Sequence, residues 1–332
     1  MATSVRDVAQ LAGVSIGTVS NVLNSPTKVA QSTLDRVHSA IQELGFVRND
    51  AARQLRAGRS LCLGMLVLDI RNPFFADVAH AAESAAATQG LSLLLGDSGA
   101  SEERERTLLE MFETQRVRGV LVTPTKEDIP LLDRMRAHGI PAVMVDRLSS
   151  RPEISSVSVD DVTGGRLAVQ HLAAIGRRDV LFVGGPDRLA QVRDRLSGAE
   201  QAAVAAGVRL TTQSVEALTV AEGVRVGRML RADRGAIDAV FAANDLLALG
   251  VMQGFGVSDG PRVPNQLAIV GYDDIDFAAA AAIPLTSVHQ PRAEMGRRAV
   301  DLLMAEVDGG AERTQIVLDP RLVVRDSTSL AA

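Results

Sequence analysis

The sequence predicts a small all-α head joined to a two-lobed α/β body of doubly wound parallel sheets. Three observations carry this. At 332 residues the chain exceeds what one compact core usually holds, so two or three domains are expected. Charge divides unevenly along it. Residues 1–60 hold seven Lys/Arg against four Asp/Glu, a net of +3; the remainder holds 28 against 36, a net of −8. A small basic head on an acidic body suggests a polyanion-binding module, although short segments fluctuate by a few charges and this asymmetry alone decides nothing. Finally, from residue 61 short apolar runs alternate with helical patterns, as in parallel α/β sheets.

Composition narrows the classes. Hydrophobic residues make up 46% and charged residues 23%, as in soluble globular proteins. No stretch approaches the roughly 20 apolar residues of a membrane helix, so no membrane partner is expected. The first 30 residues lack a basic start followed by an apolar run, which argues against export and for the cytoplasm. The single cysteine, Cys62, leaves no disulfide framework and no multi-cysteine zinc site. With no Trp, one Tyr and eight Phe, most of the chain is not a base-stacking platform.

Three helices are expected over residues 4–45. Ser4 with Asp7 forms a capping-box-like start, and Val5, Val8, Ala9 and Ala12 make an apolar stripe that Gly13 ends. Ser15 begins the second helix, with Val19, Val22 and Leu23 inward, and Asn24-Ser25-Pro26 stops it. Ser32 with Asp35 is expected to start the third, which Gly45 closes. The outer face of the second helix gathers Ser15, Ile16, Gly17, Ser20, Asn21 and Asn24 without one charge. A solvated face normally carries Lys, Glu or Arg, whereas small hydroxyl and amide groups permit close approach to base edges and phosphates. An ordinary three-helix mini-domain is the competing reading. Beyond it, Asn49 can cap a short helix over 50–57 carrying Arg53 and Arg56, with Leu55 as its one large apolar group. So short a helix needs a docking partner. Basic side chains plus a Leu suit phosphate neutralisation and a minor-groove wedge; a linker with Leu55 packed on the body is the bland alternative.

In the body, 63–70, 91–96, 119–123, 142–146, 180–183, 239–242 and 267–271 read as strands, with helices around 74–89, 101–117 and 128–138. Ligands of such sheets sit at the carboxyl ends of strands, which picks out 69–75, Asp97, Asp146, Asn244 and Asp273. Carboxylates and amides there suit the hydroxyls of a polyol. An Asp after a strand is commonly a helix cap, and Asp245 and Asp274 are the expected caps, leaving Asn244 and Asp273 for ligand. Of Phe74 and Phe75, one is expected to touch it.

No catalytic role is assigned. No dinucleotide Gly-x-Gly-x-x-Gly follows a strand, and neither a Walker-type loop nor a Gly-x-Ser-x-Gly elbow occurs. The five histidines (38, 80, 138, 171, 289) lack metal-ligand spacing, so neither metal nor cofactor is expected.

The residues also carry a resemblance. Arg6-Asp7-Val8-Ala9, Gly13-Val14-Ser15, Thr18 through Asn24 and Ala51-Ala52-Arg53-Gln54-Leu55 resemble the head and hinge of LacI/GalR-type repressors. The likeness runs on through 69–75, Val145-Asp146-Arg147, Arg195-Leu196-Ser197-Gly198, Ala243-Asn244-Asp245 and Gly271-Tyr272-Asp273-Asp274 in the expected order. It implies a homodimer on palindromic double-stranded operator DNA, with a helix-turn-helix head at 1–46, a hinge at 47–60 and a periplasmic-binding-protein-like body at 61–326. Lobe 1 would comprise about 61–160 and 292–320; lobe 2, about 161–291 and 321–326. The implied DNA contacts are Ser4, Ser15, Ile16, Gly17, Thr18, Ser20, Asn21 and Asn24 in the head, with Arg53 and Leu55 in the hinge. The implied effector contacts are Asn72, Phe74, Phe75, Asp146, Arg195, Asn244 and Asp273. The family often has Pro where Arg48 stands, and Gly17 offers no side chain, so base readout would rest on Ile16 and Asn21. The expected function is effector-controlled repression, the low aromatic count leaning toward a sugar or sugar derivative. A periplasmic-type sugar receptor is the alternative, disfavoured by the head.

Overall fold

The computed structural model describes residues 3–46, 60–126, 129–232, 236–256, 263–310 and 312–329. The hinge segment, with Arg48, Arg53 and Leu55, lies outside the described residues. The chain forms two compact units, Met1–Arg59 and Ser60–Ala332.

The head is built from α1 (Val5–Ala12), α2 (Ile16–Asn24) and α3 (Gln31–Glu43). Ser4 and Asp7 form a reciprocal capping box: the Ser4 amide donates to Asp7 Oδ2 at 2.8 Å, and Ser4 Oγ accepts from the Asp7 amide. Gly13 takes the left-handed conformation (φ 63°) that ends α1, and Ser15 Oγ accepts the Thr18 amide to start α2 two residues later. Val8, Val19, Val22 and Val37 meet in the core beneath. One expectation fails here. The third helix begins at Gln31 after Ala30, with no side-chain cap, and Asp35 instead accepts from Gln31 Nε2 at 2.9 Å. Its stability rests on burying Val37 and Ala40 rather than on a capping box.

The body holds two six-stranded sheets. The first runs β11-β5-β4-β3-β1-β2, with β1 (Cys62–Val67), β2 (Ser92–Asp97), β3 (Val120–Val122), β4 (Ala142–Val145), β5 (Ser155–Val159) and β11 (Gln315–Leu318), all parallel. The second runs β12-β10-β9-β8-β6-β7, with β6 (Asp179–Gly184), β7 (Arg209–Ser214), β8 (Ala239–Ala242), β9 (Ala268–Asp273), β10 (Thr286–His289) and β12 (Arg321–Val323). Here β12 pairs antiparallel with β10, so the second sheet is mixed at its edge. Five of these strands, β5, β7, β10, β11 and β12, were absent from the sequence reading. In both sheets the winding direction reverses beside the third-ranked strand, between β1 and β3 and between β6 and β8, which opens a crevice at the strand ends.

The chain passes from one sheet to the other after β5, after β10 and after β11. Helix Arg292–Val307 thereby returns to pack on helix Pro73–Thr88, against the first sheet. In the second lobe, helices Asp161–Ala174 and Ala190–Ala206 approach at backbone distance: a Cβ on Gly198 would lie 1.8 Å from the Val162 carbonyl oxygen, and one on Gly165 1.9 Å from that of Arg195. Glycine is required at both positions.

Candidate functional site

The strand ends of both lobes converge on one cleft, open to solvent at its mouth. All seven residues expected to face an effector line it. Asn72, at the end of the loop after β1, caps helix Pro73–Thr88 through Oδ1, which accepts the Phe74 amide at 3.1 Å. Its Nδ2 donates across to Asp273 Oδ2 of the other lobe at 3.0 Å. Phe74 and Phe75 both reach the wall, edge to face with ring centroids 5.0 Å apart. Asp146 follows β4 and Asp273 ends β9, and both adopt positive φ (59° and 106°). Two aspartates held in this sparsely populated region at one cleft mark local strain.

Arg195 sits at the buried centre, 4% exposed. Its Nε donates to Asp161 Oδ1 at 2.8 Å and its Nη1 to the Ala243 carbonyl at 2.7 Å. Asp273 Oδ1 lies 3.9 Å from Nη1, and the guanidinium carbon stacks 3.7 Å from the centre of the Tyr272 ring. Burial works against the Arg195 charge, but Asp161, Tyr272, Asp273 and Asp146 outweigh it and hold its pKa above the ordinary value. Burial, and then the Asp161 charge, pushes Asp146 well above the usual carboxylate range against the pull of Arg195. Asp273 is raised by burial too, with Arg195 and the bonds from Asn72 and Gln290 pulling it back.

The expected caps are overturned. Asn244 is the N-cap of helix Asp245–Phe255, accepting the Leu247 amide at 3.0 Å, while its Nδ2 donates to the Leu218 carbonyl. Asp245 is instead a buried strut that accepts from Ser287 Oγ at 2.6 Å and from the Ile275 amide at 2.8 Å. Asp274 caps nothing; it meets His289 at 2.9 Å and Arg325 at 2.7 Å. A cap needs its oxygen over an early free amide of the helix, and Asn244 stands there one residue before Asp245; the helix after Asp274 has Ile275 at its N-cap and no side-chain cap at all. Asp97 takes the Gly99 amide and does not line the cleft.

Sequence reasoning missed Gln191, whose Nε2 donates across the lobes to the Asp146 carbonyl (2.8 Å) and to its Oδ2 (2.9 Å). It also missed Asp161, Tyr272 and Gln290, which hold Arg195 and Asp273 in place. None carried a signal in the sequence: Asp161 stands behind Asp160, the cap of its helix, after a strand whose serines conceal it. Asp146 Oδ1 is buried with no hydrogen-bond partner.

On the head, Ile16, Gly17 and Asn21 are exposed, with Ile16 47% so. Ser15 and Thr18 are bonded through their hydroxyls at 2.9 Å, and Asn24 Nδ2 donates to Ser20 Oγ at 3.1 Å. Ser4 is engaged in its capping box. Among the described residues no cluster of His, Cys, Asp and Glu is arranged for a metal ion, and no helix is long and apolar enough to cross a membrane.

A helix-turn-helix head followed by a body with a ligand-sized cleft between two wound sheets is the build of a ligand-responsive transcriptional regulator. Residues 4–49 match the family of bacterial regulatory proteins named for lacI, and residues 169–328 match the periplasmic binding protein-like domain. The transcriptional repressor PurR of Photobacterium profundum is 32% identical over 98% of each chain. A transcriptional regulator CelR in complex with cellobiose shares 32% identity over 98% of this chain and 99% of its own, with a TM-score of 0.71. The lac repressor dimer bound to operator and the anti-inducer ONPF shares 27% identity over 99% of both, with a TM-score of 0.84. The chain belongs to the LacI family of bacterial regulatory proteins.

Proposed function

We propose that this protein is a cytoplasmic homodimeric repressor whose hold on palindromic operator DNA is set by a sugar or sugar derivative in the cleft. The observation that carries the reading is the cleft wall itself. Carboxylates, amides and one buried guanidinium from both lobes converge there beside two phenylalanines, a lining suited to hydroxyls on one face of a ring and C–H groups on the other. The cellobiose complex of the related CelR supports the same ligand class. In this division of labour residues 1–46 read DNA, 47–60 form the hinge and 61–326 bind effector and partner. Ile16 and Asn21 supply base contacts; Ser4, Ser15, Gly17, Thr18, Ser20 and Asn24 supply close approach and phosphate contacts; Arg53 and Leu55 act from the hinge. A free-standing sugar receptor would have no use for the matched head.

Coupling follows from the bonds that cross the cleft. Asn72 to Asp273 and Gln191 to Asp146 tie the lobes together. A ligand that enters between them exchanges its own hydrogen bonds for these and so biases the lobe angle, which the hinge passes to the head. The test has two arms. Selection from random duplexes followed by footprinting should return one palindromic site, with affinity falling steeply with salt. Mass spectrometry of molecules retained by the purified protein should return a carbohydrate that changes operator affinity, and the direction of that change distinguishes inducer from corepressor. Duplex selection without a preferred site would refute the regulator.

A further inference from the structure

The floor of the cleft has a charge balance that restricts its ligand further than the proposed function does. Arg195 is the one guanidinium among the buried lining, and three carboxylates surround it: Asp161 at 2.8 Å, Asp273 at 3.9 Å, and Asp146 close enough to shift its titration. The other two arginines of the wall stand nearer the mouth. Arg71 is clamped by Asp69 through two bonds of 2.8 Å, and Arg188 donates to the Ala100 carbonyl of the opposite lobe. A phosphate or carboxylate on the ligand would therefore meet a guanidinium already paired with Asp161, with Asp273 beside it. It would also lose its own hydration there, a cost that only an unpaired cation offsets.

The arrangement that neutralises Arg195 is fixed mechanically. Asp161 opens helix Asp161–Ala174, Gly164 one turn on leaves room for the Tyr272 ring, and Gly165 and Gly198 lock that helix against the one bearing Arg195. A Cβ on Gly164 would fall 2.1 Å from the Tyr272 hydroxyl. Asp161 and the Tyr272 ring thus grip the guanidinium from its edge and its face.

We propose that Asp161 is a positioning and selectivity residue, acting through Arg195, and that it restricts the floor of the cleft to ligands without an anionic group. Asp161 is not among the residues lining this cleft; it lines the adjoining cavity that shares Asp146 and Gln191, so its effect on the cleft runs through Arg195. The inference rests on the effector reading of the cleft, but its test needs no effector. Inorganic phosphate is titrated into the full-length protein at constant ionic strength, with chloride as reference, and binding is read by thermal shift and by the Nε–H resonance of Arg195. The parent should show no phosphate-specific change. Asp161→Asn, which removes one charge at constant size, should gain phosphate binding at least tenfold above the parent, and Arg195→Ala in that background should abolish the gain. Arg195-dependent phosphate binding by the parent would overturn the proposal, and so would an Asp161→Asn protein that gains none. If Asp161→Asn does not fold, the parent titration and Asp161→Glu, which should stay phosphate-blind, still decide the matter. Failure of the regulator reading would appear separately, as absence of a selected operator.

Discussion

Replacing Arg195 by alanine tests the electrostatic account of the cleft most directly. The side chain is 4% exposed, and its loss leaves Asp161 and Asp273, themselves buried, without their cation. Breaking a buried pair from one side costs about 3–5 kcal/mol, because the abandoned charge stays desolvated. A domain of the body's size loses roughly 2–4 °C per kcal/mol, so its unfolding transition should fall by about 6–20 °C. The effect should also depend on pH. Burial already raises the carboxyl of Asp273, and Arg195 holds that rise in check. A carboxyl with a raised folded pKa contributes stability below its unfolded value, near 3.9, and loses it as pH climbs through the folded value. Without Arg195 that loss grows. The gap between variant and parent should therefore be full at pH 8 and narrow as pH falls toward 5. Calorimetry of the full-length proteins across that range reads both quantities. A drop below about 2 °C that is the same at every pH would refute the reasoning, since the carboxylates would then be solvated or otherwise compensated.

Four further outcomes are expected. Asn244→Ala removes the cap on the Leu247 amide and should cost about 0.5–2 kcal/mol in denaturant titration while weakening ligand binding; an unchanged midpoint would remove the capping role. Gly198→Ala forces a methyl into the Val162 carbonyl, so near-ultraviolet circular dichroism should show lost packing around the buried aromatics of the second lobe; a native spectrum would contradict the close helix contact. Leu55→Ala should weaken operator binding and leave effector affinity intact, as measured by gel shift and calorimetry. A chain starting at Ser60 should remain a folded, effector-binding dimer in analytical ultracentrifugation; aggregation would argue against separable units.

The sequence made visible those parts of the fold in which one residue type does one job. Gly13 and Ser15 announce the helix-turn-helix because only a left-handed exit and a hydroxyl cap give so short a turn. Strands β1, β4, β8 and β9 are continuous apolar runs because both faces are covered. By contrast, β5 reads Ser-Ser-Val-Ser-Val and is buried throughout, Ser155 bonding Glu306 and Ser156 the Ser149 amide, so its polarity hid it. Edge strand β7 is largely exposed and carries no apolar run. The cleft was legible at the strand ends, where topology fixes position. Gln191 and Tyr272 were not, because their roles arise from which lobe faces which, a relation between residues 45 apart for Gln191 and Asp146.

Three crossings between lobes have a consequence for synthesis. Helix Arg292–Val307 belongs beside helix Pro73–Thr88, where Gly296 allows it within 2.3 Å, measured from a would-be Cβ to the Val78 carbonyl. The groove it fills is made more than two hundred residues earlier. A nascent chain must therefore keep that groove bare until residues 292–307 are made, and β11 and β12 complete the two sheets later still. A chain cut between residues 290 and 314 should yield two unfinished lobes, each lacking its last strand, rather than one finished and one missing.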